Sequence, residues 1–484
     1  MKSRFRTLIC CVALALSAPA ALADNYVYIL TGQSNSLGAV KGTPATAEQL
    51  ERYASQAQLW SGNMERDSGK PFDANPSWQT VAPQLPGYNG SLCMGPEYGF
   101  AHMMQRRNWH SSGSKKLFII KASLDGGGNS FWLPGKPAWL TLTKTVKEGL
   151  AALSGKTHVQ ALLYLQGESN KGEEITQAPS RFTDLKSRLQ KEVKKGLKYA
   201  VAGECATWGG RDEKDAKGNT TAELMHALAR KKKDIGWVRT RDLTKITSGD
   251  NMGVHYDGKS QITIGARYAY AVAVLEKLPL GSVRGDDPAA ALDSPAAWWG
   301  GKLPTAADTA TWDISAARTE DKLAKPLSVA GLVVEDPPSG SVTISAAKPA
   351  ATLQVGAVGI SLQEGDLAVD CELATTADQT WELAPGRTLK IARLIGKGVI
   401  TLHAPESATL AFATAPSHDW ILPADTTPPG VTIDNAPAKF EKHGKTFKIK
   451  VRSTNDEVRT GIERASRDLN GSKAGEHFFL YSAR

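Results

Sequence analysis

The sequence has 484 residues, of which 41% are hydrophobic and 22% charged, and its formal net charge is +9. This composition excludes collagen-like, low-complexity and polytopic membrane proteins, and the length predicts two or three domains. A positive net charge raises the question of a nucleic-acid partner, and the answer depends on where the charges lie along the chain.

The first 23 residues have the pattern of a secretory signal peptide. Three basic residues precede the apolar run LICCVALALS, and the motif Ala-Leu-Ala at 21–23 forms a small-residue cleavage site. This pattern predicts a signal peptide over residues 1–23 and export to the periplasm or the extracellular space. The apolar run is too short to span a bilayer as a stable anchor.

Cleavage at that site leaves a net charge of +6 and three cysteines, Cys93, Cys205 and Cys371. An odd and sparse set of cysteines does not form a disulfide framework. One pair, such as Cys93 with Cys205, is compatible with an oxidising compartment.

Residues 24–285 alternate between short apolar runs and helical patterns. The runs are short and rich in β-branched and aromatic residues, as buried parallel strands are, and the stretches between them repeat apolar residues at helical spacing. This alternation predicts a three-layer α/β domain with a parallel sheet. The predicted strands are 26–30, 117–120, 159–165, 199–202 and 237–240, and the predicted helices include 182–193, 221–232 and 261–277.

The character of the chain changes near Pro288. Residues 286–425 contain 18 acidic and 9 basic side chains and repeat short apolar stretches between turn residues, which predicts an acidic all-β accessory domain, either a sandwich or a β-solenoid. Its five tryptophans either fill a core or stack on sugars, and the second role would give contact with a polysaccharide. Residues 426–484 form a basic C-terminal extension with 11 basic and 7 acidic residues.

Four polar segments follow predicted strands or precede a helix, where an open α/β sheet places its reactive groups. Ser34 in GQSNS is either a nucleophile or a helix cap, and the glycines of DGGGNSFW expose backbone N–H groups suited to an oxyanion. Gln166 in QGESN is a side-chain donor to an oxyanion or a core anchor. His255 lies in the acid-containing stretch DNMGVHYDG and is either a general base or a surface histidine.

These four segments, in this order, resemble the sialate O-acetylesterase-like and carbohydrate esterase family 6 branch of the SGNH-hydrolase superfamily. The resemblance covers about residues 24–280 and implies a flavodoxin-like three-layer fold without a cofactor or metal. It makes Ser34 the nucleophile and His255 the general base. It also implies an oxyanion hole formed by the Ser34 and Gly128 N–H groups with Gln166. The supporting residues that it implies are Gln33, Asn35 and Glu168.

The sequence departs from the family pattern at one position. The family has an aspartate three residues before the histidine, and Met252 stands there instead. Asp250 is the nearest upstream carboxylate and the candidate third member of a triad, while Asp257 lies two residues after the histidine. If neither reaches the imidazole, the site is a Ser–His dyad or has lost its activity.

We therefore expect a secreted serine esterase that removes O-acetyl groups from a carbohydrate. The alternatives are another SGNH esterase or lipase, and a catalytically decayed glycan-binding or surface protein. The basic runs near 191–198 and 231–233 contain no interleaved aromatic residues, which argues against nucleic acid as a partner. The sequence has no second long apolar segment, so it predicts no membrane-spanning helix.

Overall fold

The computed structural model describes ten stretches of the chain, namely residues 24–40, 44–66, 71–73, 75–84, 93–193, 196–207, 212–247, 253–317, 320–424 and 427–451. The predicted signal peptide lies outside the described residues. Asp250, Met252 and the chain after residue 451 do so as well.

Seven strands of the described N-terminal half form one sheet, in the order β3-β2-β4-β1-β5-β6-β7. All neighbours are parallel except β3, which is antiparallel to β2 at the edge of the sheet. Four of the five predicted strands lie within strands of this sheet, and the fifth, 237–240, overlaps β7 at 237–238 and extends past its end. The bounds are β1 Asp24–Gly32, β2 Gln58–Ser61, β3 Gln79–Thr80, β4 Lys115–Ser123, β5 Lys156–Leu165, β6 Gly196–Gly203 and β7 Ile235–Val238.

Helices cover both faces of this sheet. On β1, Tyr28 and Leu30 pack into the core that includes α3 and α7, while Val27 and Ile29 pack into the core that includes α4 and α5. The predicted three-layer α/β architecture is thus confirmed. The helices are α1 Ser34–Leu37, α2 Ala47–Arg52, α3 Glu97–Arg106, α4 Pro137–Ala151, α5 Glu173–Val193, α6 Thr221–Lys231 and α7 Gly258–Glu276.

Helices α3 and α7 pack closely because glycine lies at their crossing. A Cβ atom on Gly99 would lie 1.8 Å from the carbonyl oxygen of Ile262, and one on Gly265 would lie 2.0 Å from that of Pro96. Only glycine allows the backbones to approach this closely. This contact fixes α7, and with it the loop that precedes it, against the sheet.

Fifteen further strands form a second sheet that begins at Ser282 and continues to Val451. Most strands pair in parallel with the strand two further along the chain, and register partners in the later coils lie 20 to 22 residues apart. The strands are β8 Ser282–Val283, β9 Thr309–Trp312, β10 Asp321–Leu323, β11 Leu327–Val334, β12 Ser341–Ala346, β13 Thr352–Leu362, β14 Asp366–Thr375, β15 Gln379–Leu383, β16 Thr388–Gly396, β17 Val399–His403, β18 Thr409–Phe412, β19 Asp419–Ile421, β20 Gly430–Ile433, β21 Ala436–His443 and β22 Thr446–Val451.

This pairing makes the second unit a β-solenoid, in which each coil contributes two strands to the stack. The all-β prediction is confirmed, and the parallel register selects the solenoid over the sandwich. Strands β20 to β22 belong to the same sheet, although residues 426–484 were predicted as a separate basic extension. The change in charge near residue 426 does not coincide with the end of the β-structure, because strand pairing depends on backbone hydrogen bonds and not on charge.

The tryptophans of the solenoid fill its core. Trp298, Trp312, Trp381 and Trp420 are at most 3% exposed, and Trp381 packs edge-on against Trp420 at 5.3 Å between ring centroids. These indoles are therefore not available to stack on a sugar, and the core-filling alternative is the correct one for them.

A buried ionic network joins the two units. The guanidinium of Arg267 on α7 is fully buried and donates to both carboxylate oxygens of Asp242 at 2.7 Å. It also donates to the carbonyl oxygens of Ser315 and Ala316 at the start of the solenoid. The helix that follows the predicted catalytic histidine is in this way tied directly to the β-unit.

Two further expectations concern cysteines and membranes. Cys93, Cys205 and Cys371 are all buried, and no disulfide joins Cys93 to Cys205 in this structure, so the considered pair does not form. Among the described residues, no helix is both long and apolar enough to cross a membrane.

Candidate active site

Ser34 lies at the carboxyl end of the central strand, where the strand order switches direction. The β1 strand ends at Gly32, whose φ is +148°, and a Cβ atom there would lie 2.0 Å from the carbonyl oxygen of Leu165. The chain turns after Gly32, and α1 begins at Ser34 with Gln33 as its N-cap. This is the switch point at which open α/β sheets place their sites, between β4 and β5 on either side of β1.

A buried ion pair supports the short helix that carries Ser34. The ammonium of Lys121 on β4 lies 2.9 Å from the Glu97 carboxylate, and both side chains are fully buried. Lys121 also donates to the carbonyl oxygen of Leu37, the last residue of α1, at 2.9 Å. We did not predict this pair, although a lysine inside the apolar run LFIIKAS was a signal, because a buried ammonium needs a partner.

The glycine-rich loop and the QGESN segment are joined by hydrogen bonds. The amide of Gln166 donates to Asn170 Oδ1 at 2.7 Å and to the carbonyl oxygen of Gly127 at 3.3 Å. The backbone N–H of Asn129 donates to the same Asn170 oxygen at 2.9 Å. Asn170 therefore orients both predicted oxyanion segments.

Gln33 connects the nucleophile segment to this group. Its Oε1 accepts from the backbone N–H groups of Gly167 at 3.2 Å and Ser169 at 3.3 Å, and its Nε2 donates to the Ser169 hydroxyl. Gly128 lies against the carboxylate of Glu174, since a Cβ atom at Gly128 would lie 1.9 Å from a Glu174 oxygen. The structure thus brings Gln33, Gly128 and Gln166 to one edge of the sheet; their part in an oxyanion hole stays a prediction.

His255 lies in the loop that leads into α7 and is 4% exposed. Its carbonyl oxygen accepts from the N–H of Ile246 at 2.8 Å, which fixes the loop to the segment after β7. Burial lowers the pKa of the His255 imidazole to about 4. The ring is therefore neutral near pH 7 and able to accept a proton.

The acids near His255 have different positions. Asp257 is the N-cap of α7, where its Oδ1 accepts from the N–H of Ser260 at 2.7 Å. Asp250 and Met252 lie outside the described residues, so the role of Asp250 as the third triad member remains a prediction. Glu168 is 6% exposed, and burial raises the pKa of its carboxyl group.

Asn35 joins the nucleophile segment, Glu168 and the histidine loop. Its Nδ2 donates to Glu168 Oε1 at 2.8 Å and to the carbonyl oxygen of Val254 at 3.1 Å, and its Oδ1 accepts from the N–H of Tyr256 at 3.2 Å. Of the predicted supporting residues, Asn35 and Glu168 thus meet in one buried cluster with the histidine loop. Among the described residues, no group of three or more His, Cys, Asp and Glu side chains is arranged to hold a metal ion.

Comparison with curated proteins gives no match. A solved protein from Arabidopsis thaliana aligns with 51% of this chain and 97% of its own, at 18% identity and a TM-score of 0.38. A structure described as a novel carbohydrate acetylesterase from Xanthomonas citri aligns with 51% of this chain and 56% of its own, at 14% identity and a TM-score of 0.34. This chain therefore spans little more than half the length of the Xanthomonas protein.

A family model described as carbohydrate esterase, sialic acid-specific acetylesterase matches residues 24–274, more than half of the chain. The match includes GQSNS, the glycine-rich loop, QGESN and His255, and it confirms the resemblance predicted from those segments. The chain belongs to this family of carbohydrate esterases.

Proposed function

We propose that the protein is a secreted serine esterase that removes O-acetyl groups from a carbohydrate, with Ser34 as the nucleophile and His255 as the general base. The observation that carries the proposal is the cluster around Asn35. The side chain of Asn35, the residue directly after Ser34, makes hydrogen bonds to the peptide groups on both sides of His255. His255 itself is buried and neutral near pH 7. The family match supports both the class of reaction and an acetylated sugar as substrate.

In the proposed mechanism every proton transfer goes through the imidazole of His255. Ser34 Oγ attacks the acetyl carbonyl while His255 accepts the hydroxyl proton, and a tetrahedral intermediate forms. The oxyanion is bound by the N–H groups of Ser34 and Gly128 and by the Gln166 amide, and Asp250 orients the imidazolium. The imidazolium of His255 then protonates the sugar oxygen as its bond to the acetyl carbon breaks, which leaves the acyl-enzyme. Water attacks the acyl carbonyl while His255 accepts its proton, and the proton returns to Ser34 Oγ as acetate is released.

Replacement of the nucleophile tests the proposal directly. We expect the purified protein to release acetate from p-nitrophenyl acetate and from acetylated sugars, and Ser34→Ala to lower kcat by at least about 10⁴-fold. Ser111→Ala is the control, because the Ser111 hydroxyl donates to the Met104 carbonyl oxygen at the other end of the fold. Equal rates for wild type and Ser34→Ala would reject the esterase and favour a decayed, glycan-binding site.

The acyl group and the sugar are separate parts of the same proposal. Acetyl, butyryl and octanoyl esters of one alcohol distinguish an acetylesterase from another SGNH esterase or lipase, and we expect kcat/KM to fall as the acyl chain lengthens. A preference for the octanoyl ester would select the lipase alternative. Detection of the mature chain in the periplasm or culture medium, with an N-terminus at Asp24, tests the proposed export.

A further inference from the structure

The carboxamide of Asn35 makes hydrogen bonds to both peptide groups that flank His255. Its Nδ2 donates to the Val254 carbonyl oxygen at 3.1 Å, and its Oδ1 accepts from the Tyr256 N–H at 3.2 Å. Asn35 is fully buried, so these bonds do not compete with water. A single side chain, directly after Ser34 in the sequence, therefore fixes the backbone on both sides of the histidine.

Glu168 fixes the orientation of that carboxamide. Its Oε1 accepts the second Nδ2 hydrogen of Asn35 at 2.8 Å and also accepts from the Ala206 N–H at 3.3 Å. An oxygen can accept these bonds whether the carboxyl group is ionised or protonated. Rotation of the Asn35 amide by 180° would place its oxygen against the oxygens of Glu168 and Val254, so Glu168 adds to the preference for the orientation in which Asn35 bonds to both peptides.

The following inference rests on the proposed function, in which His255 is the base for Ser34. We propose that Asn35 is a positioning residue for His255. In this proposal Glu168 acts by holding the Asn35 side chain and not through its charge. Proton transfer requires the imidazole and the serine hydroxyl to be held within hydrogen-bond reach, and a misplacement of 1 Å can cost about 10²-fold in rate. Asn35 sets that distance because it belongs to the nucleophile helix and holds the histidine loop.

The first experiment replaces Asn35. We expect Asn35→Ala to lower kcat by about 10²-fold with KM changed by less than about 3-fold, because the buried carboxamide holds the base. Asn25→Ala is the matched control: Asn25 is a buried asparagine at the start of β1, the end of that strand away from Ser34, donates to the Ser154 carbonyl oxygen at 2.7 Å, and its replacement should leave kcat unchanged. A folded Asn35→Ala protein with wild-type kcat would overturn the proposal.

A double-mutant cycle separates positioning from a general structural role. In the His255→Ala background, Asn35→Ala should lower the residual rate by less than about 3-fold, because the residue acts through the histidine. A further loss of about 10²-fold in that background would show that Asn35 acts independently of His255 and would overturn the inference.

Substitution of Glu168 is a second test, in which Asn35 itself is unchanged. Glu168→Gln keeps an oxygen for the Asn35 and Ala206 donors and should retain kcat within about 5-fold, while Glu168→Ala should lose about as much as Asn35→Ala. Equal losses in both Glu168 variants would show that the charge is needed and would contradict the proposed role.

Labelling of Ser34 by a fluorophosphonate probe tests the proposed function separately from the role of Asn35. If the wild-type protein neither reacts with the probe nor releases acetate, the proposed function is wrong. If the wild-type and Asn35→Ala proteins react with the probe at the same rate, only the positioning role of Asn35 is wrong.

Discussion

At the scale of single residues, the site depends on burial as much as on residue type. His255 and Glu168 are both almost completely buried, and burial moves their pKa values in opposite directions because it disfavours whichever form is charged. The imidazole becomes a base that stays neutral in mildly acidic solution. The carboxyl group contributes mainly as a hydrogen-bond acceptor.

The pH dependence of the reaction follows from the pKa of His255. Since the working form is neutral and burial lowers the pKa from 6.5 to about 4, we expect kcat/KM to persist as the pH falls from 7 to 5 and to be halved near pH 4. In the same window the unfolded chain binds a proton that the folded chain does not, so His255 makes the protein less stable as the pH falls below about 6.5. Circular dichroism over the same range serves as the control for folding, and an acid limb centred near pH 6.5 would contradict the prediction.

The acid that orients His255 can be identified by two matched substitutions. Asp250→Asn should lower kcat by up to about 10⁴-fold if Asp250 completes the triad. Asp257→Asn should change neither kcat nor stability appreciably, because asparagine caps a helix as well as aspartate does. Loss of activity in Asp257→Asn alone would assign the role to Asp257, and full activity in both variants would indicate a dyad.

At the scale of elements, helix α1, which carries Ser34, is too short to be stable by itself. It has four residues, and its Leu37 carbonyl oxygen is held by Lys121 on β4. The Glu97 carboxylate pairs with Lys121 and also accepts from the Gly95 N–H at 2.9 Å. A strand, a helix and the turn before it thus share one buried ion pair beneath Ser34.

Removal of one member of this pair should be costly. We expect Lys121→Met to lower the free energy of unfolding by about 3–5 kcal/mol, because it leaves the Glu97 carboxylate buried without its cation. Glu97→Gln combined with Lys121→Met should be less unstable than Lys121→Met alone, since the uncompensated charge is then absent. Denaturant unfolding measures both, and a double variant less stable than Lys121→Met would contradict the explanation.

At the scale of the whole molecule, the solenoid is attached to the part of the catalytic unit that carries His255. Arg267 on α7 binds Asp242 and the carbonyl oxygens of Ser315 and Ala316. Helix α7 begins three residues after His255. The solenoid therefore contributes to the support of the histidine loop, independently of any contact with polysaccharide.

Replacement of Arg267 should weaken this junction. We expect Arg267→Met to destabilise the protein by about 3–5 kcal/mol and to separate one calorimetric transition into two, because Asp242 and three carbonyl oxygens lose their buried donor. Arg393→Met is the control: Arg393 is exposed, lies 3.3 Å from Glu372, and should cost less than about 1 kcal/mol. An unchanged single transition in Arg267→Met would show that the network does not couple the units.

Local patterns in the sequence were sufficient to predict much of this molecule. The apolar runs at 26–30 and 159–165 predicted strands correctly, and the motifs GQSNS and QGESN predicted both the family and a site at the ends of those strands. The reason is physical: strand burial leaves a continuous apolar run, and polar residues directly after such a run are buried only where hydrogen-bond partners meet them, as in the cluster around Asn35.

Only the tertiary structure decided which of these residues meet. The bonds from Asn35 to Val254, Tyr256 and Glu168 join positions separated by 133 to 221 residues, and the Lys121–Glu97 pair joins a strand to a helix. Short apolar strands suit a sandwich and a solenoid equally, so the solenoid followed only from the parallel register of every second strand. Periodicity and composition record the surroundings of a residue along the chain, whereas the order of strands in a sheet determines its neighbours in space.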